Sequence, residues 1–154
     1  MRASAFASRL TPYASRFPMK VFEHLDSTLK LPQEEAMLVE SVRQLARDKI
    51  APRAEHYDRS GEFPHEHVKA INDLGLNAMF IPAAYGGAQL SYAAYLECVR
   101  EISKACAATG IIWATNFHAL KPLIDFGTEE QKKRLLPVML NGGLASLTIT
   151  EPTA

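Results

Sequence analysis

Gly110-Ile111-Ile112-Trp113-Ala114-Thr115-Asn116-Phe117-His118-Ala119-Leu120 contains no Asp, Glu, Lys or Arg. Its apolar residues are not confined to one stripe of a 3.6-residue helix, so the stretch reads as a helix from Ile111 to about Asp125, buried all round. A helix of that kind needs other elements packed around it. With helical patterns on both sides of it, an all-α bundle is the fold to expect. Thr115, Asn116 and His118 near its middle need hydrogen-bond partners if they are buried. His118 is either a satisfied core histidine or part of a pocket lining. No second His or carboxylate stands at ligand spacing on this helix, so no metal site is read there.

Downstream, Gly127 ends the helix, Thr128 caps the next one, and Gln131 completes a capping box. Leu135, Leu136, Val138 and Met139 form the inner side of that helix. Lys132-Lys133-Arg134 reads as its solvated face, and Asn141-Gly142-Gly143 as its closing turn. Upstream, Ser91 caps a helix running to about Thr109, with Tyr95, Cys98, Val99, Ile102, Ala105 and Cys106 on its apolar face. The small residues Ala105, Ala107 and Ala108 let another helix approach closely. Before it, Met79 to Gly87 is apolar but punctuated by Pro82 and a Gly pair, a buried loop without a phosphate-binding glycine motif. Pro64 opens a helix with Val68, Ile71 and Leu74 inward and Gly75 as its C-cap. The first helix starts after Pro32, where Leu38, Val42, Leu45, Ala46 and Ile50 make a stripe at the helical period. Pro52 interrupts or kinks it, and a short continuation through Ala54 and Tyr57 ends near Gly61.

The 154 residues are 47% hydrophobic and 22% charged, enough for one domain, or one domain plus the start of another. Seventeen basic and seventeen acidic residues cancel, leaving no global electrostatic case for binding nucleic acid or an anionic membrane. No apolar run approaches the length of a membrane span. Cys98 and Cys106, placed in one helix roughly 12 Å apart, are too distant to bridge and read as buried thiols of a reducing compartment. Residues 1–22 carry Arg2, Arg9, Arg16 and Lys20 and no acid, which suits either a matrix-targeting presequence or a plain extension. Pro12 and Pro18 argue against one long helix there. Leu144 to Thr150 has β-branched residues near its end and reads as a strand. A lone strand has nothing to pair with. The segment is therefore expected to open a sheet lying beyond a truncated or clipped chain, or to dock on the helices as an irregular tail. The histidines His24, His56, His65, His67 and His118 are scattered, and no nucleophile–base–orienter pattern can be assembled from them.

Several phrases, in order, are more specific. They are Val42-Arg43 through Ile50-Ala51-Pro52, Gly61-Glu62-Phe63-Pro64, Leu74-Gly75-Leu76, Ile81-Pro82 to Gly86-Gly87, and Glu101-Ile102-Ser103. Phe126-Gly127-Thr128-Glu129-Glu130-Gln131-Lys132-Lys133 and Thr150-Glu151-Pro152 follow. The chain closely resembles the N-terminal part of the acyl-CoA dehydrogenase family over about residues 33–154. The resemblance implies a flexible or targeting-like extension over 1–30, a helical domain over 31–140, and the first strand of a missing middle β-domain over 144–154. It also implies FAD as cofactor, an acyl-CoA substrate, an electron-transfer flavoprotein as electron acceptor, and a homotetramer or dimer. The place would be the bacterial cytoplasm or the mitochondrial matrix, in fatty-acid or amino-acid catabolism.

In that family a carboxylate removes the pro-R α-proton of an acyl thioester while the β-hydride goes to the flavin, leaving a trans-2-enoyl-CoA. The carboxylate belongs to a part of the family that this chain does not match, so no catalytic residue is assigned. Leu147, Thr148, Ile149 and Thr150 match the positions along the flavin ring. Thr150 would offer its hydroxyl to the ring, while Leu147 stands where some members carry an aromatic residue. Gly110, Ile111, Ala114, Thr115 and His118 match the helix bordering the acyl cavity. The segment alone is expected to bind FAD poorly and to have no activity. Two other readings stand beside this one: a relative with oxidase-like or desulfinase-like chemistry on the same scaffold, and a non-catalytic helical interaction module.

Overall fold

The computed structural model describes residues 29–150 and Pro152; the basic stretch 1–22 and Glu151 lie outside the described residues. Six α-helices are described: α1 (Gln33–Leu45), α2 (Ala51–Ser60), α3 (His65–Asp73), α4 (Tyr92–Ala105), α5 (Ala107–Phe126) and α6 (Glu129–Leu140). No strand occurs among the described residues.

The stripe of α1 and the turn that continues it buries Val39, Val42, Ala46 and Ile50. The break expected at Pro52 is absorbed just before it. Ala46–Ile50 form a π-turn in which the Ala51 N–H reaches back to Ala46 O. That wide turn leaves Pro52, which has no N–H to offer, in the first turn of α2, where none is needed. α2 ends at Gly61, whose φ of 70° is left-handed. Pro64 is the N-cap of α3, so the helix begins one place later than expected. The expected capping box of α6 is present: the Gln131 N–H donates to Thr128 Oγ1 at 3.2 Å, and the Thr128 N–H to Gln131 Oε1 at 2.8 Å.

The boundary between α4 and α5 differs from expectation. Ser91 caps α4 as expected, its Oγ accepting from the Ala94 N–H, but the helix stops at Ala105. Cys106 is extended (φ −155°, ψ 108°), and α5 begins at Ala107. Gly110 therefore lies inside α5 and does not separate two helices. A Cβ at Gly110 would stand 2.1 Å from Ser103 Oγ and 3.0 Å from Ser103 Cα. Glycine is needed there because α4 and α5 touch, and not because the helix breaks. Cys106 is accordingly outside the helix that holds Cys98, although both thiols are free and buried.

The main core joins α1, α3, α4 and α5 through Val42, Ile50, Ile71, Cys98, Ile102 and Trp113. A second cluster of Ile81, Leu120, Leu136 and Met139 seats α6. Buried polar groups tie elements across the core. The Glu35 carboxylate accepts the Ser91 N–H at 2.8 Å and the Ser91 hydroxyl at 2.6 Å, joining α1 to the start of α4. His67 Nδ1 lies 2.7 Å from Thr109 Oγ1, joining α3 to α5.

α5 is not buried all round. Trp113 and Leu120 are buried and Phe117 is half-buried, but His118 is exposed, Ile111 is 61% exposed and Phe126 is 87% exposed. An uncharged sequence records how many sides of a helix are apolar, not how many the neighbouring helices cover. Leu144 to Thr150 forms no strand because no partner strand accompanies it among the described residues. Only its start is fastened, through the Ala145 N–H, which donates to Asn116 Oδ1 at 2.8 Å.

Candidate functional site

The close crossing of α4 and α5 opens beside Gly110 into an apolar groove of about 480 Å³. Val99 and Ser103 of α4 form one wall; Ala107, Ala108, Gly110, Ile111 and Ala114 of α5 form the other. Small side chains on both helices make the space, and Ile111 stands at its exposed side. The lining holds one hydroxyl and no ionisable group. Such a groove can hold an apolar chain and cannot move a proton.

The charged groups near α4 are committed elsewhere. Burial works against the charge on Glu101, but Lys104 and Arg43 outweigh it and hold the carboxyl below the usual carboxylate range. Lys104 Nζ is 2.9 Å from Glu101 Oε1 and Arg43 Nε is 3.5 Å from Oε2, so this carboxylate is paired and unsuited to take a proton. Arg100 lies 2.6 Å from Glu97. The Cys98 thiol is pushed up to about 12, first by burial and then by Glu97, Glu101 and Glu35, which makes it an inert core residue. No cluster of metal-ligating side chains occurs among the described residues. No described helix is long and apolar enough to cross a membrane.

Gly110, Ile111 and Ala114, expected at an acyl cavity, share this groove. Thr115 does not. It lines a neighbouring cavity of about 250 Å³ with Phe63, Asn116 and Leu144, and its hydroxyl donates to Ile112 O at 2.8 Å. His118 lines neither cavity. Val99, Ser103, Ala107 and Ala108 were not expected in the lining; the run of small residues after Ala105 was the signal that could have pointed to them. Leu147, Thr148, Ile149 and Thr150 are all exposed. They present two hydroxyls and two apolar side chains on an open segment, a donor set that suits the edge of a flat, heteroatom-bearing ring such as a flavin.

A family model described as acyl-CoA dehydrogenase, N-terminal domain, matches residues 32–143. The chain is 40% identical over 127 residues to a Bacillus subtilis protein named probable acyl-CoA dehydrogenase YngJ, covering 81% of this chain and 33% of that one. It is 35% identical over 154 residues to the mitochondrial short-chain specific acyl-CoA dehydrogenase of Homo sapiens, covering 98% of this chain and 36% of that one. It is also 35% identical over 126 residues to a 3-sulfinopropanoyl-CoA desulfinase of Paraburkholderia xenovorans, covering 81% and 32%. Among solved structures, butyryl-CoA dehydrogenase from Megasphaera elsdenii shares the fold, with a TM-score of 0.74 at 24% identity over 82% of this chain and 34% of that one. The chain thus spans about a third of the length of the relatives it matches.

Proposed function

This chain belongs to the acyl-CoA dehydrogenase family, and on that premise we propose that the whole protein is an FAD-dependent enzyme oxidising an acyl-CoA thioester to a trans-2-enoyl-CoA. The observation that carries the reading is the groove between α4 and α5. It lies within the matched helical domain, is apolar along its length and open at one side, and has no group able to act as a base. Its part in the reaction is to hold the acyl tail and keep water from it, which positions the thioester end.

Leu147 and Ile149 would lie against the flavin, and the Thr148 and Thr150 hydroxyls would hydrogen-bond its edge. FAD, when bound, supplies the acceptor for the hydride leaving the β-carbon. The α-proton goes to a carboxylate from another part of the whole protein, and the electrons leave through an electron-transfer flavoprotein. In this reading residues 31–140 are the helical domain, 1–30 an extension, and 144–154 the first strand of a β-domain that supplies its missing partner. The whole protein assembles as a tetramer or dimer. It works in the cytoplasm or the mitochondrial matrix, according to its source.

A second reading is favoured by the desulfinase match: the same scaffold carrying different thioester chemistry. Anaerobic incubation of the whole protein with a panel of acyl-CoAs, while following the oxidised flavin absorbance band, separates the two. Bleaching with enoyl-CoA formation is the expected result. A flavin-containing protein that bleaches with no acyl-CoA would favour the second reading, and a protein carrying no flavin would remove the dehydrogenase assignment. The 154-residue chain alone should stay colourless, because one edge of a site leaves too few contacts to offset the freedom that FAD loses on binding.

A further inference from the structure

The backbone leaving α6 is held by asparagine side chains from three separate elements. Asn72 of α3 donates through Nδ2 to Gly142 O at 3.1 Å. Asn77, in the 3₁₀ turn Leu76–Met79, shares its Nδ2 hydrogens among Gly143 O at 3.2 Å, Met139 O at 3.3 Å and Asn72 Oδ1 at 2.8 Å. Asn116 of α5 accepts the Ala145 N–H through Oδ1 at 2.8 Å. Gly142 takes a φ of 88°, and a Cβ there would stand 3.2 Å from Asn72 Nδ2, so the turn residue and the clamp suit each other.

Asn77 and Asn116 are only 5% and 3% exposed. Burying an amide is costly, and an apolar residue would fill either space at less expense. What the amides add is direction, because each bond fixes one backbone group of residues 139–145. Asn116 Nδ2 is itself enclosed and has no acceptor among the described residues. The hydrogen bond described for Asn116 is the one it accepts from the backbone of Ala145.

We propose that Asn72, Asn77 and Asn116 are positioning residues that set the direction in which Leu147–Thr150 leaves the helical domain, and through it the FAD affinity of the whole protein. This rests on the reading of Leu147–Thr150 as a flavin edge. Asn77 serves as a donor to carbonyls and Asn116 as an acceptor from an N–H, so one substitution has opposite results at the two positions. Asn116→Asp keeps its acceptor. Asn77→Asp replaces a donor with an oxygen facing other oxygens.

The test uses the whole protein, with hydrogen exchange over residues 144–150, FAD affinity by flavin fluorescence, and the melting temperature of the apoprotein. Asn116→Leu and Asn77→Asp should speed exchange and weaken FAD binding about tenfold each, while Asn116→Asp, which melts lower because its second carboxyl oxygen is buried without a donor, stays near wild type in both. A general loss of packing would not separate the two Asp variants. Unchanged exchange in Asn116→Leu and Asn77→Asp would overturn the clamp. Faster exchange with unaltered FAD affinity would overturn its role toward the flavin. A wild-type protein that takes up no FAD would overturn the flavin-edge reading itself, whatever the exchange shows.

Discussion

Replacing Gly110 by alanine puts a Cβ 2.1 Å from Ser103 Oγ, 2.9 Å from Ser103 Cβ and 3.0 Å from Ser103 Cα. The hydroxyl can rotate away. The Cβ and Cα cannot, since they belong to the frame of α4. Restoring a carbon–carbon separation of about 3.5 Å requires the two helices to part by roughly half an ångström. Overpacking of this kind costs about 1–3 kcal/mol. Alanine in a helix interior returns about 1 kcal/mol over glycine. With contacts this short the overpacking cost lies in the upper half of that range, so the clash wins and the net loss should be about 1–2 kcal/mol. Urea unfolding should show Gly110→Ala with a lower midpoint and an unchanged slope. Ser103→Gly removes the Oγ and Cβ that Gly110→Ala strikes and leaves only Cα, at 3.0 Å. Gly110→Ala should therefore cost less in the Ser103→Gly background than in wild type, a positive coupling between residues in contact. If Gly110→Ala were as stable as wild type, the close crossing of α4 and α5 would not be the reason for the glycine.

The remaining predictions concern the buried polar ties. Burial pushes the His67 imidazole below its ordinary value, with Glu66 opposing and Arg53 adding to the shift. The unfolded chain then takes up the proton first. Stability is fully present above about pH 6.5 and falls as pH drops below it towards the folded value. Unfolding midpoints of wild type and His67→Gln, compared across that window, check this; an equal fall in both would contradict it. Glu35→Ala leaves the Ser91 N–H and hydroxyl without their acceptor and should cost about 2 kcal/mol in a denaturant melt; a cost near zero would mean that this tie does not hold α1 to α4. Thr128→Ala removes one arm of the capping box at an exposed site and should cost about 1 kcal/mol, with Thr128→Ser retaining most of it.

What could be read in advance was local. The start of α6 follows from Thr128 and Gln131, which meet each other within one turn. The start of α4 follows from Ser91 in the same way. The end of α4 differs from the expected one because Gly110 carries two meanings that neighbouring residues cannot separate: helix stop, and point of closest approach. Only Ser103, brought against it by the helix crossing, decides between them. Nothing beside Cys106 marks the real break. The candidate site shows the same division. Gly110, Ile111 and Ala114 share a groove, but nothing in the sequence sets its α4 wall, Val99 and Ser103, apart from the rest of that helix. Asn77 is not legible from its neighbours because its acceptors include Met139 O and Gly143 O, far along the chain. Leu144 to Thr150 has strand-forming residues, yet a strand is a property of a pair and the partner is not among the described residues.

The claim on which the function turns is that the α4–α5 groove takes the acyl chain. Ala114 is a half-buried lining residue of that groove, and a phenylalanine in its place would occupy much of the space. The measurement is kcat/KM of the whole protein for straight-chain acyl-CoAs of increasing length, wild type against Ala114→Phe, with bound FAD quantified in both. Longer chains should lose about tenfold or more, since each excluded methylene is worth roughly 1–3 kcal/mol. The shortest substrates and the flavin content should be preserved. An identical length profile in the two proteins, at equal flavin content, would show that the acyl chain lies elsewhere.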